Sequence, residues 1–350
     1  MFCNIVIDFK RNVIDYKLFR SFVMNKPTMK DVARLSGVST ATVSRVLNKS
    51  GAVREEMKRR VAAAMEELGY KPNGVARSLR KNQTKTIGVI IPDISNPYFM
   101  KASKGIEDIL YPKGYHLIFC SSDENPRKEQ NLLTLLSEKR VDAIVVATAG
   151  GNEDFIRYLH SSGIPIMLID RKIEGGGLDL IAEDNFQGAY RLTKKVLDQG
   201  HRRIGIVNGL LGVSTGKDRK AGFEKAIGEY GIDQDPQLVF DGSFTEESGR
   251  RAAARFMQLA DRPTAIVCLN NLMASGVLLQ LNQQGVDIRD IVVASYGSIE
   301  MAPLVAPHDS LITVKQYPYD MGNRAAQILL ARLQKEGEEP REEILETGLD

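Results

Sequence analysis

The stretch KDVARLSGVSTATVSRVLNKSG, Lys30 to Gly51, decides the first part of the fold. Thr28 just before it can cap a helix, with Asp31 completing a short form of the capping box. Val32 and Leu35 are expected to face inward, and Gly37 to end that helix after about two turns. Ser39 is a plausible cap for a second helix, on which Val43, Val46 and Leu47 form one apolar stripe. Thr40, Ala41, Ser44 and Arg45 fall on the opposite side. A third helix is expected over Glu55–Leu68, with Met57, Val61, Ala64 and Leu68 inside. Three short helices with a glycine turn between the first two make either a helix-turn-helix domain or an ordinary three-helix bundle with a polar face.

The small outer face of the second helix favours the former. A helix that enters the ~12 Å wide major groove must stay slim to reach base edges. Arg45 can donate paired hydrogen bonds to guanine, Thr40, Ala41 and Ser44 can touch bases, and Thr42 and Asn48 can reach phosphates. Charge agrees: residues 26–86 hold 14 Lys/Arg and 5 Asp/Glu, whereas residues 87–350 hold 29 and 37. A small basic module precedes a large acidic body, as expected of a nucleic-acid reader joined to something else.

The full chain has 350 residues, 43% of them hydrophobic and 26% charged, an ordinary composition for two or three soluble domains. No apolar run approaches the ~18 residues that span a bilayer, so no membrane partner is expected. Asp8 and Lys10 interrupt the opening MFCNIVIDFK, which makes no signal-peptide core. Cys3, Cys120 and Cys268 offer neither metal spacing nor a disulfide framework, which fits a reducing cytoplasm.

From Ile87 the chain alternates β-rich runs with amphipathic stretches. TIGVIIP, YHLIFC, DAIVVAT and IPIMLID come first; RRIGIVN, QLVF, TAIVCL and DIVVAS repeat the rhythm after Asp184. Such runs predict parallel sheets covered by helices, arranged as two doubly wound subdomains. Ligands of such sheets bind beyond the carboxyl ends of the strands.

DVARLSGVSTATVSRVLN, followed by AAMEELGYKPNGVARSLR, resembles the lactose/galactose repressor (LacI/GalR) family, and the likeness runs from about Met29 to near the C-terminus. It implies an all-α helix-turn-helix head on an α/β body of two parallel-sheet subdomains of the periplasmic-binding-protein type. The head spans residues 28–70, after an unusual extension over 1–27 that is expected to be disordered or translated upstream sequence. Residues 71–85 form a hinge, in which Asn73 caps a short helix, Arg77 and Arg80 approach phosphates and Leu79 wedges between base pairs from the minor groove. By the same resemblance residues 86–350 are expected to bind effector and dimerise, with a first subdomain over about 86–184 and 316–335 and a second over about 185–315 and 336–350. Arg54 departs from the usual Ser or Thr cap of the third helix, and Gly74 loosens the hinge. The chain ends at ETGLD, where the family's final strand would still be running.

The same resemblance implies the effector residues. In PDISNPYF these are Asn96, Tyr98 and Phe99; in IDRK, Asp170 and Arg171; in KDRKAGF, Arg219; in CLNNLMASG, Asn270. Phe244 and Gln316 match weaker contacts. Asn271 and Gly297 stand where relatives often carry Asp. Losing two carboxylates while keeping Arg171 and Arg219 predicts a more cationic pocket, suited to a sugar acid or sugar phosphate rather than a neutral sugar. GLLGVSTGK at 209–217 lacks the first glycine and the Ser/Thr of a phosphate loop and reads as a cleft loop. His116, His160, His201 and His308 have no metal spacing, and nothing assembles a catalytic set or calls for a cofactor.

The expected function is therefore a sequence-specific repressor of carbohydrate-catabolism genes, a homodimer on a near-palindromic operator, switched by a small sugar-like effector. The alternatives are a global carbon regulator acting with a phosphocarrier protein, which the IIPDISN stretch resembles, and a solute-binding protein, for which the basic head has no use.

Overall fold

The computed structural model describes residues 27–48, 50–71, 83–300, 311–335, 337 and 339–349. The expectations for the extension over 1–27 (all but its last residue), and for Asn73, Gly74, Arg77, Leu79 and Arg80 in the hinge, lie outside the described residues. The chain divides into two compact units, residues 1–82 and 83–350.

In the first unit, α1 is Met29–Ser36, α2 is Thr40–Leu47 and α3 is Glu55–Leu68. Thr28 and Asp31 form the reciprocal capping box, and Gly37 ends α1 in the left-handed region at φ 63°. Ser39 Oγ accepts from Thr42 N at 3.1 Å to start α2. Arg54 gives α3 no side-chain cap, and Glu55 and Glu56 in its first turn offset that loss by meeting the positive end of the helix dipole. Val32, Ala33, Val43, Val61 and Ala64 form the core, with Val46, Leu47 and Leu68 half-buried against it. Leu35 corrects the expectation: it is exposed, and Ser36 takes the inner position. The Ser36 hydroxyl donates to the Val32 carbonyl at 2.6 Å, so this polar side chain is buried with its hydrogen bond made.

The second unit contains two six-stranded sheets. The strands of the first are β1 (Thr86–Ile91), β2 (His116–Ser121), β3 (Ala143–Val146), β4 (Ile166–Ile169), β5 (Asp179–Glu183) and β11 (Glu342–Leu345). Their order is β11-β5-β4-β3-β1-β2, and every pair is parallel. The strands of the second are β6 (Ile204–Asn208), β7 (Val239–Asp241), β8 (Ala265–Cys268), β9 (Val292–Tyr296), β10 (Leu311–Lys315) and β12 (Gly348–Leu349). Their order is β12-β10-β9-β8-β6-β7, parallel except at the β12 edge.

Helices flank both faces of each sheet: α4 (Pro97–Leu110), α5 (Pro126–Glu138), α6 (Glu153–Ser161) and α11 (Pro318–Leu333) serve the first; α7 (Asn185–Asp198), α8 (Ser214–Glu229), α9 (Glu246–Met257) and α10 (Asn271–Gln283) serve the second. Successive strand residues point to opposite faces. Ile87, Val89 and Ile91 accordingly join the core under α4 and α11, while Ile90 joins Leu133, Leu136 and Ile156 on the other side. α4 and α11 approach closely because Gly322 sits on the Ala102 carbonyl, where a Cβ would come within 1.9 Å.

One boundary differs from expectation. Residues 342–345 complete the first sheet rather than the second, pairing with β5 from Glu342↔Leu180 to Leu345↔Glu183. The cause is local. Asp179 at the start of β5 is buried and accepts from Arg332 Nε at 2.7 Å, Arg332 Nη2 at 2.8 Å and Arg341 N at 2.8 Å. That cluster draws the chain after α11 back to the sheet it has just covered. Among the described residues after β11, only Gly348–Leu349 reaches the second sheet. Among the described residues the chain thus crosses between the lobes at 183–185, 315–318 and 345–348.

Candidate DNA-reading helix and effector cleft

On α2, buried Val43 fixes which side faces inward, and Thr40, Ala41 and Arg45 are left exposed on the other. Arg45 forms no ion pair among the described residues. Ser44 is half-buried. Two residues expected on phosphates are turned to the helix itself: Thr42 Oγ1 lies 2.9 Å from Ser39 Oγ, and Asn48 Nδ2 donates to the Ser44 carbonyl at 2.8 Å. They stiffen the two ends of the helix.

In the second unit a cavity lies between the lobes, at the carboxyl ends of both sheets. Asn96, Tyr98, Phe99, Asp170, Arg171, Arg219, Phe244, Asn270 and Gln316, all expected from the sequence, line it together. It opens where strand order reverses, β1 between β2 and β3 and β6 between β7 and β8. Asp93, Glu124, Thr215, Ser243, Thr245, Asn271 and Tyr296 complete the wall. Apart from Asn271, which the sequence places there as a lost carboxylate, these carry no motif. The signal available was position, since Asp93, Glu124, Ser243 and Thr245 follow a strand end by two to four residues and Tyr296 itself ends β9.

The side chains divide into those held by the protein and those left for a ligand. Asn96 Oδ1 accepts from Tyr98 N at 3.0 Å and caps α4. Its amide also faces Asn271 across the cleft, with Asn271 Nδ2 donating to Asn96 Oδ1 at 3.2 Å. Asn270 Oδ1 caps α10 by accepting from Met273 N at 2.7 Å. Phe99 packs largely into the core of the first lobe, its ring edge-on to Tyr98 at 5.1 Å. The Tyr98 hydroxyl donates to Asp170 Oδ1 at 2.9 Å, and burial together with that carboxylate holds the phenol well above its ordinary pKa.

Three non-glycine residues in the wall have positive φ: Glu124 at 54°, Asp170 at 64° and Phe244 at 62°. Asp170 is the centre of a three-residue turn closed by Arg171 N donating to the Ile169 carbonyl at 2.6 Å. Phe244 swings over Gly209, where a Cβ would lie 1.8 Å from its ring. Strain of this kind survives only where the surroundings enforce it, and it collects at binding sites.

Arg171 corrects the charge expectation. Its Nη1 and Nη2 donate to the two oxygens of Glu124 at 2.7 and 2.6 Å, and Nη1 also donates to the Thr148 carbonyl at 2.8 Å. The guanidinium is neutralised by the protein and lies 5.4 Å from the Phe244 ring centroid. Arg219 Nε donates to Asn185 Oδ1 at 2.7 Å and Nη1 to the Leu269 carbonyl at 2.9 Å, its plane 3.8 Å from the Tyr296 ring. Asp93, Glu124 and Asp170 outnumber the two arginines in the wall, so no cationic excess exists. Thr215 Oγ1, in the first turn of α8, is buried with no hydrogen-bond partner among the described residues. The loop at 209–213 leads into that helix, as its failed phosphate-loop spacing implied.

Comparison with known proteins accounts for both units. Residues 28–73 match the family of bacterial regulatory proteins, lacI family, and residues 84–347 match the periplasmic binding proteins and sugar binding domain of the LacI family. The chain belongs to the LacI family. The HTH-type transcriptional repressor PurR of Photobacterium profundum is 39% identical over 316 residues, 90% of this chain and 94% of that one. A LacI-family regulator from Silicibacter pomeroyi superposes with a TM-score of 0.78 at 27% identity, covering 93% of this chain and 98% of the other. A LacI-family regulator from Enterococcus faecium, solved with bound ribose, gives 0.67 at 29% identity, covering 76% and 96%. This LacI-family protein is thus a DNA-binding transcriptional repressor with a ligand-binding body, and its relatives are regulators rather than enzymes. Among the described residues no helix is long and apolar enough to cross a membrane.

Proposed function

We propose that the repressor reads its operator with α2 and is switched by a small, neutral, ring-shaped effector rich in hydrogen-bonding groups, a monosaccharide first of all. Arg45 reads guanine, and Thr40, Ala41 and Ser44 lie against bases. Two copies bind two half-sites. The edge strand β2, which leaves Ile118 and Phe119 exposed, supports a face for the second copy. Such a repressor would control genes for uptake or breakdown of its effector.

The observation that carries the effector reading is the wall of the cavity. Thr215 Oγ1 is buried and unpartnered, Asp170 and Gln316 offer acceptors, Arg219 offers a donor plane, and Phe244 supplies an apolar face. A site of this composition binds compact polar rings. The neutralisation of Arg171 by Glu124 removes the reason to prefer an anion, and bound ribose in the Enterococcus relative points the same way.

The test is calorimetry of the full-length protein with ribose, gluconate and a flat nucleobase, followed by operator binding with the ligand that binds. Saturable binding of ribose, lost in Arg219→Met, is expected. Binding of gluconate alone would restore an anionic effector, and binding of the nucleobase alone would make the aromatic wall the selecting feature.

A further inference from the structure

Gln316 follows β10 at the second crossover, and its amide is held from one side only. Nε2 donates to Glu183 Oε2 at 2.5 Å, while Glu183 Oε1 accepts from Tyr317 N at 3.0 Å. Glu183 ends β5 at the first crossover and is 3% exposed. A carboxylate can only accept, so it compels the amide to turn its NH2 inward. Gln316 Oε1 is thereby turned the other way, onto Gly297, where a Cβ would lie 2.4 Å from it. No donor among the described residues reaches Oε1, and Gln316 lines the effector cavity. Gly297 is one of the positions that lacks an expected carboxylate; the space beside it is filled by this amide.

We propose that Glu183 is a positioning residue for effector choice: while ionised, it makes Gln316 present its carbonyl oxygen to the ligand, so that the site selects a hydroxyl or N–H donor there. The proposal rests on the reading of the cavity as the effector site. A protonated Glu183 would reverse the arrangement, because its O–H can donate to Oε1 and leave the amide NH2 facing the ligand. The reversal lies within reach of ordinary conditions, since burial raises the Glu183 pKa to about 7. The Gln316 and Tyr317 hydrogen bonds oppose that rise, nearby Asp170 reinforces it and Arg219 counters it. Tyr98 and Tyr296 also feel the charge, and Lys172, Asp184, Asp218 and Glu342 share a second cavity with Glu183 on its other side. Those groups act on how readily Glu183 ionises; among the described residues only Gln316 passes the change to the effector cavity by hydrogen bond.

The experiment needs no effector in its first arm. Carbon-13 carboxyl and nitrogen-15 side-chain amide spectra of the unliganded full-length protein are followed from pH 5.5 to 8.5, with Gln316→Met used to assign the Gln316 signal. Glu183 is expected to titrate near pH 7, with the Gln316 NH2 resonances moving at the same midpoint. Gln316→Met should raise the Glu183 midpoint. A Glu183 midpoint below 5, or Gln316 resonances that stay fixed while Glu183 titrates, overturns the proposal. In the second arm ribose is titrated at pH 6 and pH 8. Affinity weaker at pH 6 than at pH 8 in the wild type, by up to about tenfold as the ionised fraction of Glu183 falls about tenfold, and equal at both in Glu183→Gln, supports it; equal affinity in the wild type overturns it. Coupled resonances without any ribose binding would count against the neutral-sugar reading alone.

Discussion

Glu124→Ala tests the charge argument on which the choice of effector depends. Arg171 and Glu124 side chains are only 3% and 16% exposed, and both Glu124 oxygens are engaged. Removing one partner of a buried pair strands the other charge, typically at about 3–5 kcal/mol. Here Arg171 would retain the Thr148 carbonyl and gain from Asp170, whose Oδ2 lies 3.7 Å from Nε, so the lower end, about 3 kcal/mol, is expected. The protein has no tryptophan, so the assay is urea unfolding followed by far-ultraviolet circular dichroism. Glu124→Gln, which keeps one acceptor oxygen, should lose about half as much. The freed guanidinium should also draw anions: gluconate affinity is expected to rise about tenfold, equivalent to ~1.4 kcal/mol, in Glu124→Ala relative to the wild type. Unfolding within ~0.5 kcal/mol of the wild type, a change no larger than that of an ordinary surface substitution, together with unaltered gluconate binding, would show that the pair does not set the charge of the site.

Three further outcomes follow from the same geometry. Arg45→Ala should reduce discrimination at one base pair by ~1–3 kcal/mol, read from a library of operator variants; an unchanged preference would remove Arg45 from the bases. Thr215→Val should weaken ribose binding by about 1 kcal/mol without destabilising the fold, because the hydroxyl it removes is buried and unpartnered; lower stability with unchanged ribose binding would assign Thr215 to packing instead. Glu183 takes up a proton on folding between its ordinary pKa of 4.5 and its folded value of about 7. Its contribution to stability is therefore full below pH 4.5 and is lost as pH rises through 7, a change of about 3 kcal/mol. The stability lost between pH 4.5 and 7 should shrink by about that amount in Glu183→Gln, and an identical loss would mean that Glu183 ionises normally.

The long β-branched runs and the helical stripes of the head were legible because each carries its own period. Leu35 was misread because periodicity alone ranks leucine above serine, whereas Ser36 satisfies its hydroxyl within the turn and can go inside. β5, spelled DLIAE, was missed because its acidic ends interrupt a short apolar run, and β11, EEIL, because its residues are half-buried or exposed. In the cleft the residues contributed by strand ends came from motif resemblance. Their partners did not: Glu124 is 47 residues from Arg171, and Glu183 is 133 from Gln316. Charge was counted correctly along the chain and wrongly in space, because pairing across loops leaves no local pattern.

The return of residues 342–345 to the first sheet bears on how the protein is made. β5 cannot acquire its outer neighbour, nor Asp179 its bond to Arg341, until residues 341–345 have left the ribosome. Throughout synthesis of the second lobe the earlier one carries an open, apolar β5 margin, the kind of border along which strands of separate molecules join. A nascent chain stalled near residue 335 should therefore be a favoured client of chaperones and prone to self-association, however well its amino-terminal head has already folded.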